Sequence, residues 1–576
     1  MIVMFKAQLT RRFFFMLCLL LGAFGVHANQ ATKVTVEQQQ YEVPVLTHKN
    51  HNPVLRLKIT VPAGQRSLTL KSLVVELKGT TTIQDIAAID VFYIGSDSVF
   101  NGQSVAGTTP FGTAKKIRTK TTIKGEKTLA PGDHFLWVCY TLRDDAAILG
   151  SVGSVCKRIS FNDVTVAPSW KGKPIKQRIG VALRQHGQDG VHTSRIPGLA
   201  TTNKGTLLAI FDARYESARD LQGHMDIGLH RSEDGGQTWE PLQVAMDMGE
   251  WGGLPQKFNG VSDACILVDK NSDAIYIAGL WMYGVLDADG KWVEGLTDTS
   301  TVWNHQWRNK GSQPGFGVKQ TAQFLIVKST DDGKTWGKPV NLTEQCKKEE
   351  WWLWAPAPGR GITLEDGTLV FPTQGRDASG SPFSNITYSR DGGKTWKTSN
   401  PALEVPGGTT ECAVVQLADG ALMLNMRANS NHGNTGDNNG RAIAITTDMG
   451  NTWQEHATSF RGLPEPTCMA SLYVHKGDGV DSRFLLFLNP NSKTARDHIT
   501  LKVSLDEGNS WPAQYWLLLD EWKGRGYSCI TSVDSEYIGV LYESSQADMV
   551  FQKISIRELM QNSSGLPASS FRTNDW

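Results

Sequence analysis

Between residues 190 and 530 the chain sets isolated charged and phenolic side chains among apolar runs. Arg195 stands in Arg195-Ile196-Pro197. Arg214 follows in Phe211-Asp212-Ala213-Arg214-Tyr215, with Asp220 six residues on. Asp263 closes Val261-Ser262-Asp263, ahead of an apolar run. Glu411 lies in Thr409-Thr410-Glu411-Cys412, and Arg427 ends the run that begins at Ala421. The turn Leu417-Ala418-Asp419-Gly420 separates them, so both fall near one end of a single hairpin. Arg496 sits just ahead of Ile499–Val503, with Arg483 a second choice, and Tyr527 stands in Gly524-Arg525-Gly526-Tyr527-Ser528. A guanidinium is planar, permanently charged and able to grip a carboxylate bidentately. Carboxyl groups serve as general acids and bases, and a tyrosine hydroxyl with a base beside it serves as a nucleophile. Singly, each residue has a plainer reading: a solvated strand-end Arg, a turn Asp, a core Tyr, a surface salt bridge. What matters is whether the fold brings them together.

The elements that position them come from a repeat. The motif Ser/Thr-x-x-x-Gly-x-Thr/Ser-Trp recurs at Ser232–Trp239, Ser329–Trp336, Ser389–Trp396, Thr447–Trp453 and Ser504–Trp511, with the fourth copy one residue short. Asp holds the third position in the other four copies. The copies begin 97, 60, 58 and 57 residues apart. Strand-like runs precede them, such as Ala322–Lys328, Arg441–Thr446 and Ile499–Val503. Asp can accept from turn amides, Gly can take positive φ, and Trp can fold back as an apolar plug. A unit of roughly 40–60 residues with several strands is a propeller blade. The long first interval contains an insertion, Trp281 to Phe316, rich in Trp, Tyr, Gly and Asn, which is expected as a loop on the rim.

The chain has 576 residues, enough for more than one domain. Residues 1–28 read as a signal peptide: Lys6, Arg11 and Arg12, then the apolar run Phe13–Phe24, then Val26-His27-Ala28. This implies export to the periplasm or the medium, and no later stretch could span a membrane. The formal net charge is +1, and it becomes −2 once those three basic residues are removed. So nearly neutral a chain excludes a nucleic-acid partner. Seven cysteines follow the signal, scattered and odd in number, so they form no disulfide framework. Cys139 with Cys156 is the one candidate pair. No CxxC or HExxH occurs, and no metal or cofactor is expected. Residues 29–178 carry β-type runs, such as Val54–Val61 and Leu73–Leu77, but no repeat motif; a separate β-sandwich is expected. Residues 179–560 form the repeat domain, and 561–576 a loosely ordered tail.

The repeated motif is the Asp-box, and the chain resembles the bacterial exo-α-sialidases (neuraminidases) of glycoside hydrolase family 33. The resemblance covers roughly residues 180–557. It implies an all-β fold: a six-bladed β-propeller, five blades with boxes and one degenerate, with an N-terminal β-sandwich accessory domain. It implies that Arg195, Arg427 and Arg496 grip a substrate carboxylate, that Asp220 is the acid catalyst, and that Tyr527 is the nucleophile paired with Glu411. Arg214 and Asp263 help to orient the sugar, and Trp281 lines the acetamido pocket. The boxes themselves are fold-stabilising turns.

The chemistry suits that substrate. Sialic acid carries a carboxylate on its anomeric carbon, which three arginines can hold. An anionic nucleophile would be repelled there, whereas a neutral Tyr hydroxyl is not. Sialidases are the Tyr-nucleophile exception among retaining glycosidases. The expected partners are sialylated glycoproteins, gangliosides and oligosaccharides, and a monomer is expected. A trans-sialidase or an intramolecular trans-sialidase shares the same residues. A non-catalytic sialic-acid-binding propeller would be expected to lack Tyr527, Glu411 or Asp220, and all three are present.

Overall fold

The structure is a computed structural model. It describes residues 33–561 apart from 65, 97–99, 101–104, 106–107, 221–222, 254, 285–311, 319 and 478–482. The proposed signal, most of the insertion after Trp281 and the tail lie outside the described residues.

Alternating apolar residues become strands where the sequence predicts them: Asn52–Val61, Leu68–Glu76, Gln323–Ser329, Ala442–Thr446 and Ile499–Ser504. Most strands between residues 35 and 170 build two sheets. One runs Ser169–Trp170, Thr35–Gln39, Asn52–Val61, Gly132–Leu142, Ile86–Gly95, Thr109–Ala114; the other runs Thr165–Val166, Val155–Phe161, Leu68–Glu76, Lys120–Leu129. Leu57, Ile59, Leu73, Val75, Ile123, Leu136, Val138 and Ile159 from both sheets share one buried core. The candidate disulfide does not form: Cys139 and Cys156 are free, buried thiols. They sit on strands of different sheets, Gly132–Leu142 and Val155–Phe161, so sequence proximity did not make them neighbours in a ladder.

From residue 193 onward, antiparallel four-stranded meanders follow one another. Their first strands are Thr193–Thr201, Asn259–Val268, Leu353–Pro356, Thr409–Gln416, Ser471–Lys476 and Ser528–Ser532. Thr193–Thr201 packs against both Asn259–Val268 and Ser528–Ser532. The chain of contacts continues from Asn259–Val268 to Leu353–Pro356 and its sheet, then to Thr409–Gln416, Ser471–Lys476 and back to Ser528–Ser532. The last meander takes its fourth strand, Gln177–Arg184, from the chain ahead of the first. That strand also pairs with Val45–Thr47 and Ser151–Val152, so the N-terminal region and the meanders share a sheet. The expected boundary near residue 178 is therefore bridged by hydrogen bonds.

The repeat motif forms the turn after the third strand. Ser329 Oγ donates to Asp331 Oδ1 at 2.8 Å, Gly333 N–H donates to Ser329 Oγ at 3.0 Å, and Thr335 N–H and Oγ1 donate to the Asp331 carboxylate at 2.9 and 2.6 Å. Gly236, Gly333, Gly393, Gly450 and Gly508 all have left-handed φ between 75° and 93°. The fourth copy is full length: Thr446, not Thr447, is its first residue. Thr446 Oγ1 donates to Asp448 at 2.8 Å and accepts from Gly450 N–H at 2.9 Å. Its Asp is then in the third position like the others. Thr446 and Thr447 are adjacent, and both the eight-residue spacing of the other copies and these hydrogen bonds select Thr446.

Candidate active site

Antiparallel meanders bring the start of each first strand and the end of each second strand to the same side of the molecule. Arg195 and Glu411 lie near the starts of first strands, and Asp263 lies mid-way along Asn259–Val268 at its bulge. Arg214 and Arg427 close second strands. Asp220 and Arg496 lie on the connections that follow second strands, and Tyr527 immediately precedes a first strand. Ladder register slips where three of these side chains sit, between Arg195 and Gly198, Ser262 and Cys265, and Thr409 and Cys412. Such bulges re-aim a side chain out of the sheet. Two put non-glycine residues in the left-handed region, Ile196 at φ 60° and Asp263 at φ 55°. For β-branched Ile196 that is a strained conformation, held by its neighbours.

The residues meet in a cavity of about 650 Å³ lined by Arg195, Asp220, Asp263, Glu411, Arg427, Arg496 and Tyr527. Leu280, Leu353 and Ala355 form an apolar part of the wall, and Gln374, Arg376, Asn429 and His432 a polar part. The Tyr527 hydroxyl donates to Glu411 Oε1. Arg427 Nη1 donates to Glu411 Oε2 at 2.6 Å and to the Tyr527 oxygen at 3.0 Å. The guanidinium carbons of Arg195 and Arg496 lie 5.3 and 5.4 Å from the centre of the Tyr527 ring. Arg496 is held by the carbonyls of Arg525 and Thr467 at 3.1 and 3.3 Å; among the described residues it has no carboxylate within ion-pair distance, although its charge acts on Asp220.

Residues 196–514 match the BNR repeat-like domain family, and residues 33–165 match the N-terminal domain of BNR-repeat neuraminidase. A sialidase of Bacteroides fragilis is 37% identical over 553 residues, covering 92% of this chain and 96% of that one. The chain belongs to the sialidase family. A sialidase of Paraclostridium sordellii is 30% identical over 371 residues, 61% of this chain and 81% of that one. The solved structure of Hadza microbial sialidase Hz136 superposes with a TM-score of 0.80 at 34% identity, covering 91% of this chain and 99% of that one. Membership makes the enzyme class a glycoside hydrolase.

Two of the predicted residues do not line the cavity of this sialidase. Trp281 is fully buried on the other face of its strand, where Nε1 donates to Asn259 at 3.2 Å and Trp251 packs on the ring edge-to-face at 4.7 Å. Strand alternation gives the wall to its neighbour Leu280. Arg214 lies behind Asp220. Its Nη1 donates to Asp220 at 2.5 Å and to the Ala218 carbonyl at 2.9 Å, and its Nη2 donates to Asp212 at 2.9 Å. Arg483, the second choice, pairs with Glu507 at 3.0 Å away from the cavity.

Two buried acids went unassigned by the sequence. Glu543 is 1% exposed; it accepts from Arg195 Nε at 2.7 Å and from the backbone N–H groups of Ile196 and Tyr527 at 3.0 Å each. Asp212 accepts from Arg214, from Ser262 Oγ at 2.6 Å and from Asp263 N–H at 3.1 Å. The available signal was an acid ending or interrupting an apolar strand, Leu541-Tyr542-Glu543 and Phe211-Asp212-Ala213. Such an acid must find partners when buried.

The electrostatics divide the acids. Burial, then the Glu411 charge, pushes the Tyr527 phenol well above its usual range against Arg427 and Arg496, so it is neutral and needs a base. Its surroundings desolvate Asp220, which alone would raise it, but Arg214 and Arg195 outweigh this and hold it well below the usual carboxylate range. Its side chain is nonetheless 56% exposed towards the cavity mouth. Burial, then the neighbouring charges of Asp212, Glu411 and Asp220, drives Asp263 well above that range. Among the described residues one group of metal-ligating types converges: atoms of His224, Asp226 and Asp247 lie within 4.8 Å of one another. It lies outside the cavity, and the Tyr215 hydroxyl donates to Asp226 at 2.9 Å. No helix among the described residues is long and apolar enough to cross a membrane.

Proposed function

We propose that this protein is an exported, monomeric exo-α-sialidase that removes terminal α-linked sialic acid from glycoproteins, glycolipids and oligosaccharides by a retaining mechanism. The architecture proposed is a six-bladed β-propeller with an N-terminal β-sandwich; the cyclic run of first-strand contacts and the two sheets sharing one core support it. The observation that carries the mechanism is the Tyr527 hydroxyl bonded to Glu411 beneath three arginines.

Arg195, Arg427 and Arg496 take the substrate carboxylate. Arg496 brings the charge left without a carboxylate partner among the described residues, and Arg427 orients the nucleophile as well. Arg195 Nη1 donates to Asp220 at 3.2 Å in the free enzyme. An arriving carboxylate competes for that guanidinium and for Arg496, so substrate binding relieves Asp220 of part of the charge of the three arginines, Arg214, Arg195 and Arg496, that keep it ionised. Its pKa then rises, and it can carry the proton that the leaving oxygen needs. The Tyr527 oxygen attacks the anomeric carbon as Glu411 takes the phenolic proton, and the C–O bond to the aglycone breaks as Asp220 gives its proton. In the second half Asp220, now a carboxylate, takes a proton from water. That water attacks the same carbon, the bond to Tyr527 breaks, and Glu411 returns the proton to the phenolate.

The test is proton NMR of sialyllactose cleavage with wild type and Tyr527→Phe. The expected first product is the α-anomer of free sialic acid, formed slowly or not at all by the variant. A β-anomer as first product would rule out retention, and a transferred or anhydro product would make the enzyme a trans-sialidase. Absence of any product from folded wild type leaves a binding protein.

A further inference from the structure

The segment that carries Tyr527 is anchored on its far side by the N-terminal region, and we infer that Tyr41, Trp137 and Lys49 are positioning residues for the nucleophile, acting through Trp522 and Gln546. The inference rests on Tyr527 being the nucleophile, as proposed above.

Five residues before Tyr527, the Trp522 ring packs 5.2 Å from Tyr41 and edge-to-face on Trp137 at 5.7 Å. The backbone beside it is strapped in both directions: Glu521 N–H donates to the Glu42 carbonyl at 2.7 Å, and Glu42 N–H donates to Glu521 Oε2 at 3.0 Å. A second contact lies next to the first. Lys49, 6% exposed, donates from Nζ to the Gln546 carbonyl at 2.8 Å.

Those two anchored segments are one unit. Buried Asp520 accepts from Ser544 Oγ at 2.6 Å, from Ser545 N–H and Oγ at 2.8 Å each, and from Trp522 N–H at 3.2 Å. At the cavity end the segments join again: Glu543 N–H donates to the Tyr527 carbonyl at 2.9 Å, and Tyr527 N–H donates to Glu543 Oε2 at 3.0 Å. One end of the unit thus presents Tyr527 to the cavity with Glu543 buried behind it, and the other packs on the N-terminal region. Little slack lies between them. Gly524 N–H donates to the Arg496 carbonyl at 3.0 Å. A Cβ at Gly526, φ 90°, would come within 2.9 Å of the Pro490 ring and 3.1 Å of Arg496 Cβ.

Contacts between domains of one chain are usually polar and permit relative motion. A buried ammonium and an aromatic plug are not needed merely to tether a domain. They are suited to fixing the backbone of a residue whose oxygen must meet a carbon in line, where a shift of about 1 Å can cost roughly 10²-fold in rate.

The experiment compares full-length wild type, Tyr527→Phe, Trp522→Ala, Trp522→Phe and Lys49→Met on an aryl sialoside, measuring kcat and KM, with thermal unfolding run on each. Trp522→Ala is expected to lower kcat roughly ten- to hundred-fold with KM within roughly threefold of wild type. The arginine grip should largely survive because Arg195 and Arg427 sit on the strands Thr193–Thr201 and Leu422–Ala428, and Arg496 keeps its bond to the Thr467 carbonyl even where its bond to Arg525 is loosened. Trp522→Phe, which keeps an aromatic plug, is expected to recover most of the loss. A folded Trp522→Ala with kcat within roughly twofold of wild type, or a change in KM alone, overturns the inference. Should the alanine variant not fold, Lys49→Met decides by the same split, an unchanged kcat overturning it. An inactive wild type or a fully active Tyr527→Phe strikes the nucleophile assignment instead, so the two failures are distinguishable.

Discussion

Glu543 holds Arg195 by a 2.7 Å bond to Nε, and its second oxygen accepts the Tyr527 backbone N–H at 3.0 Å. One buried acid therefore fixes both a carboxylate-gripping arginine and the backbone of the nucleophile. Glu543→Gln leaves Arg195 without its nearer, buried counter-charge and with only Asp220 at 3.2 Å, and breaking such a buried pair costs about 3 kcal/mol. Arg195 holds the Glu543 carboxyl below its ordinary value although burial alone would raise it. The stabilisation is therefore fully present above the unfolded-state pKa of about 4.3 and is lost as pH falls through the lower folded value. Urea unfolding at neutral pH should show the loss in Glu543→Gln, and the gap to wild type should narrow in acid. KM should rise as well; equal stability of the two proteins at pH 7 would refute the pairing.

Tyr527 and Glu411 should fail separately. Tyr527→Phe removes the attacking oxygen but keeps the ring, so the fold is retained and kcat is expected to fall roughly 10²-fold or more. Glu411→Gln removes the base and leaves a neutral phenol with no proton acceptor. Its kcat should fall by a similar factor, and the double variant should be little worse than either single one, as for residues acting as a unit. Additive losses in steady-state kinetics would contradict a shared step.

Asp220→Asn removes the proton donor, which matters most when the aglycone is a poor leaving group. The loss in kcat/KM should be large for sialyllactose and much smaller for a nitrophenyl sialoside. Equal losses on both would assign Asp220 another role.

Arg214 and Arg195 hold Asp220 ionised in the free enzyme against the desolvation that would raise it. Taking away the Arg214 charge with Arg214→Gln raises the Asp220 pKa. The protonated fraction of free enzyme then extends to higher pH, so the alkaline limb of kcat/KM should move up, whereas kcat reports the substrate complex. A downward shift of that limb would contradict the ion pair as the cause.

The boxes should affect stability and not chemistry. Asp331→Ala deletes an acceptor used by Ser329 and Thr335 and, by analogy with a helix cap loss, should cost about 1 kcal/mol after allowing for solvent screening. Burial opposes the shift, but the Thr335 and Ser329 bonds lower the Asp331 carboxyl to about 2, so its contribution is present above the unfolded pKa and lost as pH falls towards that value. The melting temperature should drop slightly at neutral pH, with kcat unchanged.

The sequence by itself determined the repeating unit, because box turns and alternating strands are local. Hydrogen bonds between residues two to four apart fix the Ser329–Asp331–Thr335 turn wherever it occurs. It also offered Arg195, Glu411, Arg427, Arg496 and Tyr527 as candidates, through their order along the chain and the resemblance to the sialidases, and the structure sets all five on one cavity. The tertiary structure decided what depends on which way a strand faces and what lies across it. Trp281 and Leu280 are adjacent in sequence, and only the register of their strand buried the first and gave the wall to the second. Arg214 was legible as a site arginine, but its place behind Asp220 required the fold of residues 214–220. Glu543 resembles any strand-end acid until Arg195, 348 residues away, is packed against it. Local hydrogen bonding and periodicity are written along the chain, whereas partnership between buried charges is set by packing, which no single stretch of sequence contains.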